Sequence, residues 1–237
     1  MVARRFYKLF HFAILRTHAR GRRHLSQRGP LILVSNHAGS FGPISVMTSL
    51  PVRLHPWVTY EVTDVARAAE RIRREFMEEE LHLKPPLSAW LARVVARICV
   101  ALMRDLGAVP VYDRSRKIRD TVSRSLSLLE QGRSILVFPE NAATPVNGLM
   151  REFCTGFIHV AKLYYEKTRR AVTFLPVAVN KRVQGIMVGE PIAFDGTTPF
   201  HAEKLRLKRE LTSTIERLYE ELDRDAGAAS LGRAGSA

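Results

Sequence analysis

The sequence predicts a single α/β domain: a mostly parallel or mixed central sheet flanked by helices, with an amphipathic helix at the N-terminus. Three observations predict it. Short apolar runs alternate with longer stretches of helical periodicity from residue 31 to residue 224. At 237 residues the chain is long enough for one domain with a full core. Its apolar fraction, 46%, is that of a globular protein.

Strands are expected at 31–35, 56–60, 108–112, 134–138, 172–179 and 185–189. Helices are expected at 42–49, 65–80, 88–105, 116–131, 153–166 and 201–224. Residues 67–80 are rich in Glu and Arg and suit a solvated helix with charge pairs four residues apart. Pro85 and Pro86 break the chain before the next helix. In residues 88–104, Arg93, Arg97 and Arg104 share a narrow stripe and nearly everything else is apolar. That helix is mostly buried, either in the core with one solvated edge or partly in lipid. Gly132 closes the helix that precedes the strand at Ile135. The Ala-, Gly- and Ser-rich tail, 226–237, reads as disordered.

The formal net charge of +14 calls for an anionic partner: lipid headgroups, nucleic acid or a phosphorylated substrate. Much of the charge sits at the start. Residues 1–30 hold seven arginines and one lysine and no acid. Lys8, His11 and Arg16 interrupt any signal-peptide core, and no run reaches the roughly 18–20 apolar residues of a membrane span. Between residues 4 and 16, Phe6, Leu9, Phe10, Ala13 and Ile14 fall on one helical side, with Arg4, Arg5, Lys8 and His11 on the other. Residues 1–25 are therefore expected to form a basic, amphipathic, membrane-associating segment, with the α/β domain over 26–225. The alternative is a solvated helix docked on the domain. Cys99 and Cys154 give neither a disulfide framework nor metal spacing, and no metal is expected. No helix-turn-helix, zinc finger or RNA-binding signature accompanies the charge, so no nucleic acid is expected. Gly39 and Gly42 lack the spacing and the lysine of a phosphate-binding loop.

Two strand endings carry the chemistry. His37 follows the apolar run that begins at Leu31, and Glu140 follows the run that begins at Ile135. Reacting groups in open α/β sheets gather outside the carboxyl ends of strands, and an imidazole can take a proton from a hydroxyl near neutral pH. A plainer alternative is that Ser35, Asn36 and His37 cap the next helix, and that Glu140 ends a solvated turn.

Five blocks, in order, resemble those of the glycerolipid acyltransferases of the lysophosphatidic acid acyltransferase type: Asn36-His37, Leu106 to Arg114, Phe138-Pro139-Glu140, Phe153 to Gly156, and Phe174 to Val179. They cover roughly residues 25–195. The resemblance implies that His37 acts as general base on a lysophospholipid hydroxyl, such as that of 1-acylglycerol-3-phosphate, which attacks an acyl thioester. The donor would be acyl-CoA or acyl-carrier protein, and no cofactor is implied. The expected partners are an anionic membrane surface, the lysophospholipid acceptor and the thioester donor. The expected place is the cytoplasmic side of a membrane, peripheral or monotopic.

Catalytic residues are expected at His37 and Glu140. Substrate-binding residues are expected at Asn36, Arg114, Pro139, Asn141, Gly156 and Lys181. Arg114 suits a phosphate clamp, because guanidinium grips phosphate oxygens in pairs. It equally suits a surface arginine paired with Asp113 or Asp120. Lys181 and Arg182 could serve the same anion.

The sequence departs from the family's pattern at two points. Gly42 stands where the family carries an aspartate that orients the histidine. Asn141 stands where it carries glycine, and Arg151 is a candidate for the basic residue missing after Glu140. The departures leave three readings open. The chain is an inactive, lipid-binding relative; another group (Glu140, Ser40 or Ser45) orients His37; or the substrate or the chemistry differs. Under the first reading, Gly42→Asp should raise activity if the backbone there accepts a side chain.

Overall fold

In the computed structural model the described residues are 17–234, without 27–28, 40, 80, 113–116, 142–143 and 146–148. The basic segment expected at 4–16, Arg114 and Ser40 lie outside them. The α/β class and the mixed sheet flanked by helices stand as read from the sequence. Within that single α/β domain the chain forms two compact units, residues 1–54 with 126–237, and residues 55–125.

The larger unit holds β1 (His18–Arg20), β2 (Leu31–Ser35), α1 (Phe41–Ser49) and, later in the chain, β5 (Ser134–Val137). It continues with α5 (Ile158–Thr168), β6 (Thr173–Asn180), β7 (Gly185–Val188), β8 (Ile192–Ala193) and α6 (Phe200–Ala234). Strand order is β1-β7-β6-β2-β5, and β8 pairs with β6. β2 lies parallel to both β5 and β6, whereas β6 and β7 form an antiparallel hairpin. Every residue of β2 is buried. That explains its uninterrupted apolar run: a central parallel strand is covered on both faces, so it has no polar side to show.

The two faces part by odd and even positions. Leu31, Leu33, Leu175, Val177 and Val179 share a cluster with Phe41 and Val46 of α1. Even-numbered Phe174 instead meets the ring of Phe157, at the start of α5, with centroids 5.8 Å apart. Leu207, Leu211, Ile215, Leu218 and Leu222 bury one stripe of α6. Leu218 and Leu222 lie over Gly189 and Gly185, where a Cβ would meet them at 2.9 and 2.8 Å. α6 runs through Ala234, past Ala226, where the composition predicts a disordered tail. Its alanines have high helix propensity, and a helix already nucleated by its packed stripe adds each further turn cheaply.

The smaller unit contains β3 (Leu54–Thr59) from its second residue onward, α2 (Val65–Ile72), a π-helical turn (Arg73–Glu78), α3 (Leu87–Leu106) and β4 (Val109–Val111). It also takes in the start of α4 (Ile118–Glu130). β3 and β4 are parallel, with Trp57 opposite Val109. α2 and α3 meet through small residues, Ala68 and Ala69 against Ala96 and Val100. The helix expected over 65–80 changes from α to π at Arg73. Its charge pairs are present, Arg71 with Glu75 and Glu61, and Arg73 with Glu70 and Glu78. α3 ends on Gly107 at φ 65°, whose N–H and that of Ala108 cap the carbonyls of Arg104 and Met103.

Candidate active site

Counting along the sheet brings the two strand-end residues together. In the β2–β5 pairing, Val34 lies opposite Val137. His37 and Glu140 each stand three residues further on, at the same edge. The side chain bears this out: the main-chain N–H of His37 donates to Glu140 Oε1 at 2.6 Å. The other carboxylate oxygen, Oε2, accepts from the main-chain N–H of Arg151 at 3.1 Å. Glu140 thus holds the backbone at His37 and at Arg151, one carboxylate oxygen to each.

The imidazole is exposed, and its ring meets Phe138 edge-on with centroids 5.2 Å apart. Two left-handed residues, Ala38 at φ 47° and Gly39 at φ 63°, turn the chain sharply after His37. α1 then begins at Phe41 and returns the backbone to the histidine. At Gly42 a Cβ would lie 1.9 Å from the His37 carbonyl oxygen, 2.7 Å from its carbon and 3.3 Å from the Asn36 oxygen. Gly42 has no positive φ; it is glycine because two stretches of backbone touch there. The condition set for Gly42→Asp, that the backbone accept a side chain, is not met here: no side chain fits unless the backbone shifts.

Asn36, expected to touch substrate, is buried and ties two strands together. Its Nδ2 donates to the Val179 carbonyl at 2.8 Å, and its Oδ1 accepts from the Val179 N–H at 2.7 Å. The amide reproduces a strand's own donor and acceptor, so the chain stays paired to β6 after β2 has ended. Pro139 is also buried, and its carbonyl accepts from the Cys154 N–H at 2.6 Å. Asn141 accepts Thr144 N–H and Oγ1–H on its carbonyl and reaches Glu152 with its amide. Residues 139–141 therefore pair antiparallel with 152–154, and the Glu140–Phe153 bridge lies at their centre. The Arg151 guanidinium, the candidate for a missing basic residue, donates to the Thr144 carbonyl within this loop.

Gly156 is exposed, in the turn that leads into α5, with open space where a Cβ would be. Lys181 is exposed just after β6, at the same sheet edge as His37. Arg182 is held by Asp223 of α6 at 2.6 Å, and Asp223 also takes the Asn180 amide at 2.6 Å. The structure thus brings His37, Asn36, Pro139, Glu140 and Asn141 to one edge of the sheet, and Gly156 and Lys181 are exposed. Among the described residues, no group of three His, Cys, Asp or Glu is placed to hold a metal ion. The role of Gly42 as a contact point escaped the sequence reading. Its one sequence signal is a glycine in the first turn of a helix, where glycine costs stability.

Glu140→Ala leaves two main-chain N–H groups without their charged acceptor. The expected result is a loss of about 3–6 kcal/mol, since each of the two hydrogen bonds to the charged group contributes about 1.5–3 kcal/mol. Denaturant unfolding would measure it, and hydrogen exchange at the His37 amide should quicken at the same time. Unchanged exchange at that amide would show that the carboxylate does not hold it.

The Acyltransferase family model matches residues 82–180. That stretch covers the blocks at Leu106–Arg114, Phe138–Glu140, Phe153–Gly156 and Phe174–Val179, and His37 precedes it. No curated protein matches the chain. The fold is similar to that of the crystal structure of the 1-acyl-sn-glycerophosphate (LPA) acyltransferase PlsC from Thermotoga maritima. The TM-score is 0.57 at 17% identity, over 94% of this chain and 78% of that one. The family model thus covers four of the five motif blocks, and the structural likeness shows a shared fold.

Proposed function

We propose that the chain, which the Acyltransferase family model matches over residues 82–180, moves a fatty acyl group from acyl-CoA or acyl-carrier protein to a lysophospholipid hydroxyl. The acceptor class is that of 1-acylglycerol-3-phosphate. The observation that carries this reading is the exposed His37 imidazole at the carboxyl edge of the sheet, with its backbone held by Glu140. The imidazole takes the hydroxyl proton as the oxygen attacks the thioester carbonyl. The C–S bond breaks as the ester forms, and the imidazolium returns its proton to the departing thiolate. The fold shared with the Thermotoga acyltransferase supports the acceptor class. The basic segment 1–25 supports a peripheral or monotopic place on the cytoplasmic, anionic face of a membrane.

The test is thioester consumption by the full chain with a panel of lysophospholipid acceptors. Acceptor-dependent loss of thioester is expected; none across a broad donor panel would sink the reading. A second reading, a non-catalytic lipid-binding relative, is favoured by Gly42 at the aspartate's position, and it predicts that null assay with acceptor binding retained.

Arg114 is the proposed phosphate clamp. Arg114→Ala should weaken a phosphorylated acceptor by roughly 10- to 150-fold and leave donor binding nearly unchanged, the loss of one charged hydrogen bond. Direct titration of both ligands checks this, and equal acceptor affinity in the two chains would leave Arg114 without that role.

A further inference from the structure

Among the described residues, one face of α3 is buried and the opposite side is exposed or half-buried. Ser88, Ala92, Ala96 and Val100 are buried, and Ala96 and Val100 meet α2. At 100° per residue, Leu87, Trp90, Leu91, Val94, Ile98 and Ala101 fall within about 100° of one another on the opposite side. Leu87 is 54% exposed, Trp90 62% and Ile98 44%. Arg93, Arg97 and Arg104 lie together along one border of this stripe, and all three are exposed. The helix's single acid, Asp105, stands at its carboxyl end. Leu81, 48% exposed, precedes the helix. Scattered apolar side chains need no partner, but a contiguous stripe with an exposed indole at the border it shares with the arginines does.

We infer that this face of α3 docks on an anionic lipid membrane, with Leu87, Trp90 and Ile98 in the acyl boundary and the arginine row against the headgroups. The charge chooses the occupant. Three arginines on one border suit a surface of phosphate groups, and tryptophan favours the depth where one end of the ring is apolar and the other wet. No helix among the described residues is long and apolar enough to cross a membrane, so α3 lies in the interface. The inference does not depend on the reading of His37.

The chain has two tryptophans, which makes the test specific. Trp57 donates its indole N–H to Ser125 Oγ at 3.0 Å and is half-buried. In a full-length Trp57→Phe chain, Trp90 reports alone. With vesicles of phosphatidylglycerol and phosphatidylcholine, its emission should move to the blue, and brominated acyl chains should quench it. The native chain compared with Trp90→Phe gives the same reading without touching Trp57. Leu87→Ser with Ile98→Ser should lower vesicle affinity about a hundredfold, roughly tenfold for each apolar side chain withdrawn. Removing each arginine should cost about fivefold in low salt. Activity in detergent should be unchanged in all of these chains, which keeps a failure here separate from a failure of the acyl-transfer reading. Vesicle binding with no blue shift and no quenching at Trp90 would overturn the inference. So would absence of vesicle binding, or a blue shift that appears without lipid and grows with protein concentration, which would make the face a contact between copies.

Discussion

His37→Ala should lower acceptor-dependent thioester consumption by about a hundredfold to ten-thousandfold, the range a positioned general base contributes. The fold should survive. What ties His37 to Glu140 is the main-chain N–H, which alanine keeps. The residue is exposed, so the alanine leaves no buried hole, and the edge contact with Phe138 is lost. Steady-state kinetics beside thermal unfolding would separate the two effects. An unchanged melting temperature with turnover abolished is the expected pair. Turnover that persists in His37→Ala would defeat the assignment of the base.

Gly42→Ala is the second substitution with a large expected effect, and it acts through the backbone. The new methyl would lie 1.9 Å from the His37 carbonyl oxygen, far inside contact distance, and a carbonyl cannot rotate aside as a side-chain tip can. Either α1 moves out or the His37 turn moves. Overpacking of this kind costs about 1–3 kcal/mol and at times more. That amounts to a fall in melting temperature of about 2–4 °C for each kcal/mol in a chain of this size. Activity should drop further than stability, since a displacement near 1 Å at a reacting group costs about a hundredfold. Gly42→Asp carries the same Cβ and should lose activity as well. A gain of activity in Gly42→Asp, with the fold intact, would mean that the contact of Gly42 with the His37 carbonyl is not rigid.

The strands at 31–35 and 134–137 were legible because a strand buried on both faces writes itself as an apolar run. β1 and β8 were not, with three and two residues each; their pairing with β7 and β6 defines them, and that is long-range information. The division into two units was hidden because its boundaries fall inside β3 and α4, with no linker composition to mark them. At the site, the positions of His37 and Glu140 followed from where the apolar runs stop. The partner of the Glu140 carboxylate did not, because main-chain N–H groups have no signature in sequence. Asn36 reads as a polar residue beside a catalytic one. Only the register with β6 shows that its amide is consumed by Val179.

The equal offset of His37 and Glu140 from the paired residues Val34 and Val137 bears on how this chain can vary. Apolar residues in the two strands can exchange for one another at modest cost, because packing tolerates volume-conserving swaps. Length is another matter. One residue gained or lost between Val34 and His37, or between Val137 and Glu140, turns every later side chain to the other face and breaks the hydrogen bond between them. The site is encoded as two matching counts, open to substitution and closed to insertion or deletion.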